Sequence, residues 1–271
     1  SVLSIDSVPK TMAIIGGGIV GMEFASCFGR FGTQVTVIEL APQIIPSEDG
    51  EVIKEFNRHL KKQNITVLTN SKLEKVESKK DHVLVTIGGQ EPQKFDRVLV
   101  SVGREPVTND IGLEKLGIQM DGPFIKTNNH YQTNFQNIYA VGDIIKPPAL
   151  AHTASAEAMH AVEIIAGHKP PVINYDANPN AVYTYPEIAS IGMTEEKVKE
   201  KKLDYKVAKF PFAPMAKAKI EDATEGFIKI IFEPKYREIL GVHIIGARAT
   251  ELIAEFALGK VLETTADEIG L

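Results

Sequence analysis

A glycine-rich turn between a strand and a helix constrains this chain more than any other feature. Thr11-Met12-Ala13-Ile14-Ile15 is a short apolar run that reads as a buried strand. It leads straight into Gly16-Gly17-Gly18-Ile19-Val20-Gly21, a Gly-x-Gly-x-x-Gly pattern. Residues 19–31 then place Ile19, Val20, Phe24, Cys27, Phe28 and Phe31 at helical spacing, with Gly32 where a glycine would stop the helix. Val35-Thr36-Val37-Ile38 is a second β-branched strand, and Glu39 closes it. The chemistry needs each part. Gly16 permits the tight turn, Gly18 lets backbone approach a pyrophosphate, and Gly21 lets helix and strand pack closely. The helix start offers free N–H groups and a positive dipole. A carboxylate at Glu39 accepts hydrogen bonds from an adenosine ribose and repels a 2′-phosphate. Leu40-Ala41-Pro42-Gln43 supplies no cation to attract one, so NAD is favoured over NADP. The plainer alternative is a glycine turn beside a surface glutamate. The full strand–loop–helix–strand–acid order weighs against it.

The pattern continues with a loop at Pro42 and Pro46, a helix over residues 48–62 whose charges match the helix dipole, and a strand at Ile65-Thr66-Val67-Leu68. Strands separated by helices imply a parallel sheet. After residue 70 the runs 73–76 and 83–87 follow without a helix, with Gly88-Gly89 as a turn, which reads as an antiparallel meander. Residues 98–102 read as another buried strand. Ile138-Tyr139-Ala140-Val141 reads as a strand before Gly142-Asp143, and residues 151–166 as an Ala-rich helix. Pro170-Pro171 marks a boundary. Thr194 is a candidate N-cap, residues 227–232 and 239–245 form a hairpin, and Leu252, Ile253, Phe256 and Ala257 put an apolar face on a helix running to about residue 263. The fold class is a Rossmann-like α/β dinucleotide-binding domain with an antiparallel meander, followed by an α+β domain.

Composition narrows the rest. A length of 271 residues allows about two domains, and 44% apolar with 24% charged residues is ordinary globular composition. The net charge of −5, with dispersed lysines and arginines, argues against a nucleic-acid partner. No apolar run reaches the ~18–20 residues of a membrane span, and no signal peptide is visible. One cysteine, Cys27, cannot form an internal disulfide or a Cys-x-x-Cys pair, and points to a reducing, cytoplasmic setting. On the apolar helix face, Cys27 reads as a small core residue. His160 and His168 are too far apart for an i,i+4 metal pair, so no metal is expected. The lysines at 79–80 and 199–202 read as solvated faces and helix ends.

Taken in order, residues 16–23, Glu39, Ser101-Val102-Gly103-Arg104-Glu105-Pro106, Tyr139-Ala140-Val141-Gly142-Asp143, Tyr183-Thr184-Tyr185-Pro186-Glu187-Ile188-Ala189 and Gly241-Val242-His243-Ile244-Ile245-Gly246 resemble the pyridine nucleotide–disulfide oxidoreductases. Ala249-Thr250-Glu251-Leu252-Ile253-Ala254-Glu255 continues the likeness. Within that family the motifs most resemble the flavoprotein component of the 2-oxo-acid dehydrogenase complexes. Glu39 argues against NADPH-dependent relatives of mercuric or glutathione reductase type, and a non-catalytic NAD-binding module is a further alternative.

The resemblance implies an NAD-binding domain at 1–112, a central segment at 113–173 that is part of an FAD-binding domain, and a dimerisation domain at 174–271. It implies that Gly16, Gly17, Gly18, Ile19, Val20, Gly21, Met22 and Glu23 hold the NAD pyrophosphate, with Glu23 near the nicotinamide end. Glu39 would bind the ribose, Val76 would line the adenine side and Gly103 would abut the cofactor. Asp143 would hydrogen-bond FAD hydroxyls, although an aspartate after a glycine also reads as a helix N-cap. Ala149, Leu150, Ala151 and His152 would contact flavin through backbone, with His152 structural rather than a proton carrier. No catalytic residue is expected here, because the family's redox cysteine pair and catalytic histidine have no counterpart. The expected picture is an internal portion of such an enzyme, inactive alone and homodimeric. Its partners would be a 2-oxo-acid dehydrogenase complex and its lipoyl domain.

Overall fold

The computed structural model describes residues 2–146 and 148–270. It forms two compact units: Arg104–Tyr175 is one, and the residues before and after it together form the other.

The first unit opens with β1 (Thr11–Ile15), α1 (Ile19–Arg30), β2 (Gln34–Ile38), α2 (Gly50–Lys62) and β3 (Ile65–Leu68). Helix α1 ends at Phe31, and Gly32 follows with φ +91°, the left-handed stop expected of it. A meander of β4 (Leu73–Ser78), β5 (Val83–Ile87) and β6 (Gln93–Phe95) precedes β7 (Arg97–Val100). The parallel sheet runs β3-β2-β1-β7, and the meander is a separate antiparallel sheet. Alternation along β1 explains the layering. Met12 and Ile14 face α1 and α2, packing with Met22, Ala25, Val52, Phe56 and Leu60. Ala13 and Ile15 face the meander, packing with Val85, Ile87 and Phe95. Both faces of the parallel sheet are thus covered, as such sheets require.

The second unit contains α3 (Leu113–Leu116), a two-stranded ribbon of β8 (Met120–Asp121) and β9 (Phe124–Ile125), and α4 (Ala151–Ile165). Its core is small: Ile118, Ile125, Tyr131, Ala140, Ile145 and Ala161. The strand expected at residues 138–141 does not form. Tyr139 makes a single bridge to Gln132, so this extended segment has no ladder to join.

The first unit resumes with β10 (Asn180–Val182), β11 (Glu187–Gly192), α5 (Glu195–Glu200), β12 (Lys206–Pro211), α6 (Ala216–Ile220), β13 (Gly226–Phe232), β14 (Ile239–Gly246), α7 (Ala249–Val261) and α8 (Ala266–Ile269). The five strands form an antiparallel sheet in the order β10-β11-β14-β13-β12. One face packs Ala189, Ile191, Val242 and Ile244 against Ile253 and Phe256 of α7. The other face sends Val182, Ile188, Phe227 and Ile245 into the cluster beneath α1 and α2. Thr194 caps α5 by accepting from the Lys197 N–H, as its position implied.

Candidate functional site

In the parallel sheet, β1 lies between β2 and β7, so the chain reverses its winding direction at the carboxyl end of β1. Such a switch point opens the crevice in which open α/β sheets bind ligands. The glycine loop occupies it. The Gly16 N–H donates to the Ile38 carbonyl at 2.9 Å, and the Ser101 N–H donates to the Ile15 carbonyl at 2.8 Å. Gly16 has φ +103°, and a Cβ there would lie 2.2 Å from the Ser101 carbonyl oxygen. A Cβ at Gly21 would lie 2.1 Å from the Gly16 carbonyl oxygen. Both glycines are therefore demanded by packing. Gly18 differs, because nothing lies within 4 Å of a Cβ built on it. Gly103, three residues past β7, is equally open. Empty space beside a backbone at a helix start is what a close-approaching diphosphate requires. Helix α1 has no side-chain N-cap, so its first N–H groups remain available.

Glu39 stands at the end of β2 with its carboxylate already oriented. Oε2 accepts the Gly17 N–H at 2.6 Å and Oε1 accepts the Ala41 N–H at 2.7 Å. Each oxygen keeps acceptor capacity for a ribose hydroxyl. The residues present thus fit NAD. Ile19 is half-buried, Val20 is exposed and Met22 is fully buried in the core, so Met22 can offer a ligand only backbone. Glu23 accepts the Tyr183 N–H at 2.9 Å, tying α1 to the segment after β10. Val76 lies on β4 and is 42% exposed. A separate open cavity of about 520 Å³ along α2 is lined by Lys54, Asn57, Arg58 and Lys61, and not by the glycine loop or Glu39.

In the second unit, Gly142 has φ +76° and donates its N–H to the buried Glu157 carboxylate at 2.7 Å. Glu157 also accepts the Tyr175 hydroxyl at 2.7 Å, and burial, foremost, with this neighbouring carboxylate pushes the Tyr175 phenol upward. Asp143 follows with a half-exposed carboxylate. It is not an N-cap, since the short 3₁₀ turn at Gly142–Ile144 starts after Val141. Arg104 donates to Asp143 Oδ2 at 2.8 Å and to the Ala149 carbonyl at 2.7 Å. It binds two expected FAD contacts into one cluster, and its only sequence signal was a place beside Gly103 in the 101–106 motif. Leu150 precedes α4, and Ala151 and His152 are exposed in its first turn. An exposed carboxylate and a helix start are compatible with polyol hydroxyls and backbone contacts to FAD.

Two expectations fail on burial. Residues 98–102 do not form a buried strand, because β7 ends at Val100 and Val100 and Val102 are 63% and 73% exposed. Cys27 is exposed and not a core residue. The core side of α1 is taken by Met22, Ala25, Ser26 and Phe28, and Phe31 is 65% exposed. Among the described residues, no three His, Cys, Asp or Glu side chains are grouped to hold a metal ion, and no helix is long and apolar enough to cross a membrane.

Residues 1–158 match the pyridine nucleotide-disulphide oxidoreductase family, and residues 178–271 match that family's dimerisation domain. Dihydrolipoyl dehydrogenase 2 of Arabidopsis thaliana mitochondria is 41% identical over 98% of this chain and 54% of its own length. The dihydrolipoyl dehydrogenase of Bacillus subtilis is 39% identical over 99% of this chain and 58% of its own. The chain therefore spans about half the length of the curated relatives it matches. Among solved structures, LpdA of Mycobacterium tuberculosis superposes with a TM-score of 0.91 at 25% identity, covering 97% of this chain and 58% of that one. The flavoprotein disulfide reductase RclA of Escherichia coli gives 0.90 at 25% identity, covering 97% and 61%. These relatives overturn the cytoplasmic expectation, because the Arabidopsis and Pisum sativum enzymes are mitochondrial. An unpaired cysteine reports a reducing environment but not which compartment provides it. With both family matches and the switch-point crevice in agreement, the chain belongs to the pyridine nucleotide–disulphide oxidoreductases.

Proposed function

We propose that this chain is the NAD-binding and dimerisation portion of a dihydrolipoyl dehydrogenase, which oxidises protein-bound dihydrolipoamide and reduces NAD+ to NADH. The observation that carries the NAD assignment is the Glu39 carboxylate, pinned to the Gly17 N–H at 2.6 Å at the mouth of the switch-point crevice. Residues 1–112 form the NAD domain, 113–173 belong with the FAD-binding domain, and 174–271 form the dimerisation domain. Backbone from Gly16 to Gly21 holds the pyrophosphate, Glu39 orients the ribose, Val76 borders the adenine and Gly103 admits the cofactor. Asp143 holds FAD hydroxyls, with backbone support from Ala149, Leu150, Ala151 and His152. FAD, when bound, carries electrons between a dithiol and nicotinamide. The 271 residues hold one cysteine, so they contain no dithiol–disulfide pair and act on neither lipoamide nor its reduced form by themselves. A second copy completes the dimer through the outward face of α7, where Leu258, Val261 and Leu262 are exposed. The lipoyl domain of a 2-oxo-acid dehydrogenase complex is the proposed protein substrate.

Titration of NADH fluorescence with the purified chain tests the cofactor assignment. Saturable binding that is at least tenfold weaker for NADPH supports it. Equal binding of the two, or none of either, removes it. Mixing the chain with dihydrolipoamide and NAD+ should yield no NADH, and turnover at the rate of an intact enzyme would defeat that part.

A further inference from the structure

One row of the five-stranded sheet is polar from edge to edge. Strand register aligns Asn180 with Ser190, Ser190 with His243, His243 with Lys229, and Lys229 with Lys209. The next row on the same face, Val182, Ile188, Ile245 and Phe227, is apolar and belongs to the core under α1 and α2. The polar row meets a matching row of acids on the segment entering α2. Glu48 Oε1 accepts from Asn180 at 2.5 Å and from Ser190 at 3.0 Å. Asp49 accepts from Lys229 at 2.9 and 3.0 Å, and Glu51 pairs with both Lys229 and Lys209. Lys229 is fully buried and also binds Glu195 at 2.6 Å. Asp49 is fully buried and receives N–H groups from Glu51 and Glu195, at the starts of both α2 and α5. Two buried atoms of this seam, Glu48 Oε2 and His243 Nδ1, have no protein partner.

The acids lie at the end of a segment that touches the glycine loop. Ile45 donates its N–H to the Gly17 carbonyl at 2.8 Å, and the Glu48 N–H returns to the Ile45 carbonyl at 3.0 Å. Ile45 is fully buried with φ +42°, a left-handed conformation that a β-branched residue adopts only when its surroundings enforce it. Ile44 packs where a Gly17 Cβ would be, 2.7 Å from that position.

We infer that the polar row is a positioning device for the dinucleotide loop. Lys229, Ser190 and Asn180 fix Glu48 and Asp49, which hold Ile45 in its strained conformation and thereby set Gly17 and Glu39 for NAD. This rests on the NAD reading above. It makes residues of the dimerisation-type sheet positioning residues for a cofactor they do not touch.

The test measures NADH affinity and amide hydrogen exchange across residues 40–49 in the full chain. Lys229→Met should weaken NADH binding roughly tenfold, within the usual range for coupled sites, and speed exchange at the Ile45 amide. Ser190→Ala removes one bond to Glu48 without unbalancing charge. It should give a smaller change of the same sign, and it serves if Lys229→Met does not fold. Ile253→Ala destabilises the opposite face of the same sheet and should leave the affinity of the folded chain unchanged. Loss of affinity with Ile253→Ala equal to that with the row variants would overturn the inference, as would unchanged affinity in both row variants. Absence of NADH binding by the wild-type chain would instead refute the NAD reading, while the exchange measurement would still judge the loop coupling.

Discussion

Two glycines of one motif have opposite tasks, and substitution separates them. Gly21 is needed for packing, since a Cβ there would overlap the Gly16 carbonyl. Gly21→Ala should destabilise the chain by about 1–3 kcal/mol, the range for overpacking, read as a lower midpoint of urea unfolding. Gly18 faces open space, so Gly18→Val should leave that midpoint within about 0.5–1 kcal/mol of wild type and abolish NADH binding. Equal destabilisation by both would remove Gly18 from the ligand site. Glu39 was legible from the sequence because a strand-ending carboxylate after such a loop has a known chemical task. Its prior engagement by two backbone N–H groups was not, because that depends on where residues 40–41 turn. The apolar face of α1 includes Cys27 by spacing alone, yet the helix is covered on one side only. A thiol reagent should therefore modify Cys27 in the native chain at a rate near that in denaturant, and strong protection would contradict its exposure.

The three-residue β6 was too short to show a period or a stop, but most elements of the first hundred residues were readable because they carry their own of each. Helix α2 shows this, with Val52, Ile53, Phe56 and Leu60 buried at helical spacing behind the Asp49 cap. Strands β10, β11 and β12 were missed for lack of such signals. β12 is exposed along its whole length at the sheet edge, so its residues show no alternation. The α5 start depends on pH in a determinate direction. Hydrogen bonds from Lys199 and Lys229, against the opposing effect of burial, hold the Glu195 carboxyl down from 4.5 to about 2. A folded-state value below the unfolded one gives stability that is present above pH 4.5 and is lost as pH falls toward 2. The melting temperature should therefore drop through that window, and less steeply in Glu195→Gln. Equal slopes would show that other acids govern acid unfolding.

For the whole chain, association is the property that the exposed surfaces foretell. Leu258, Val261 and Leu262 stand more than 60% exposed at the end of α7, and Met159, Val162 and Ile165 do so along α4. The α7 patch lies within the residues matched to a dimerisation domain, and an exposed apolar patch of this kind marks an association surface. Leu258→Arg with Val261→Arg should convert a dimer to a monomer in light scattering, and a wild-type mass for the double variant would move the interface elsewhere. What the sequence by itself determined was local: strand, glycine turn, helix and acid in order, because those depend on periodicity and on the conformational freedom of single residues. The tertiary structure alone decided that Lys229, an isolated lysine in an apolar strand, would lie buried against Asp49 and Glu195. Those partners are distant in the chain, and only the register of five strands brings a row of polar residues to face the acids before α2. A buried charge is tolerable only when its partners are all in place, and that condition is set by packing rather than by any local pattern.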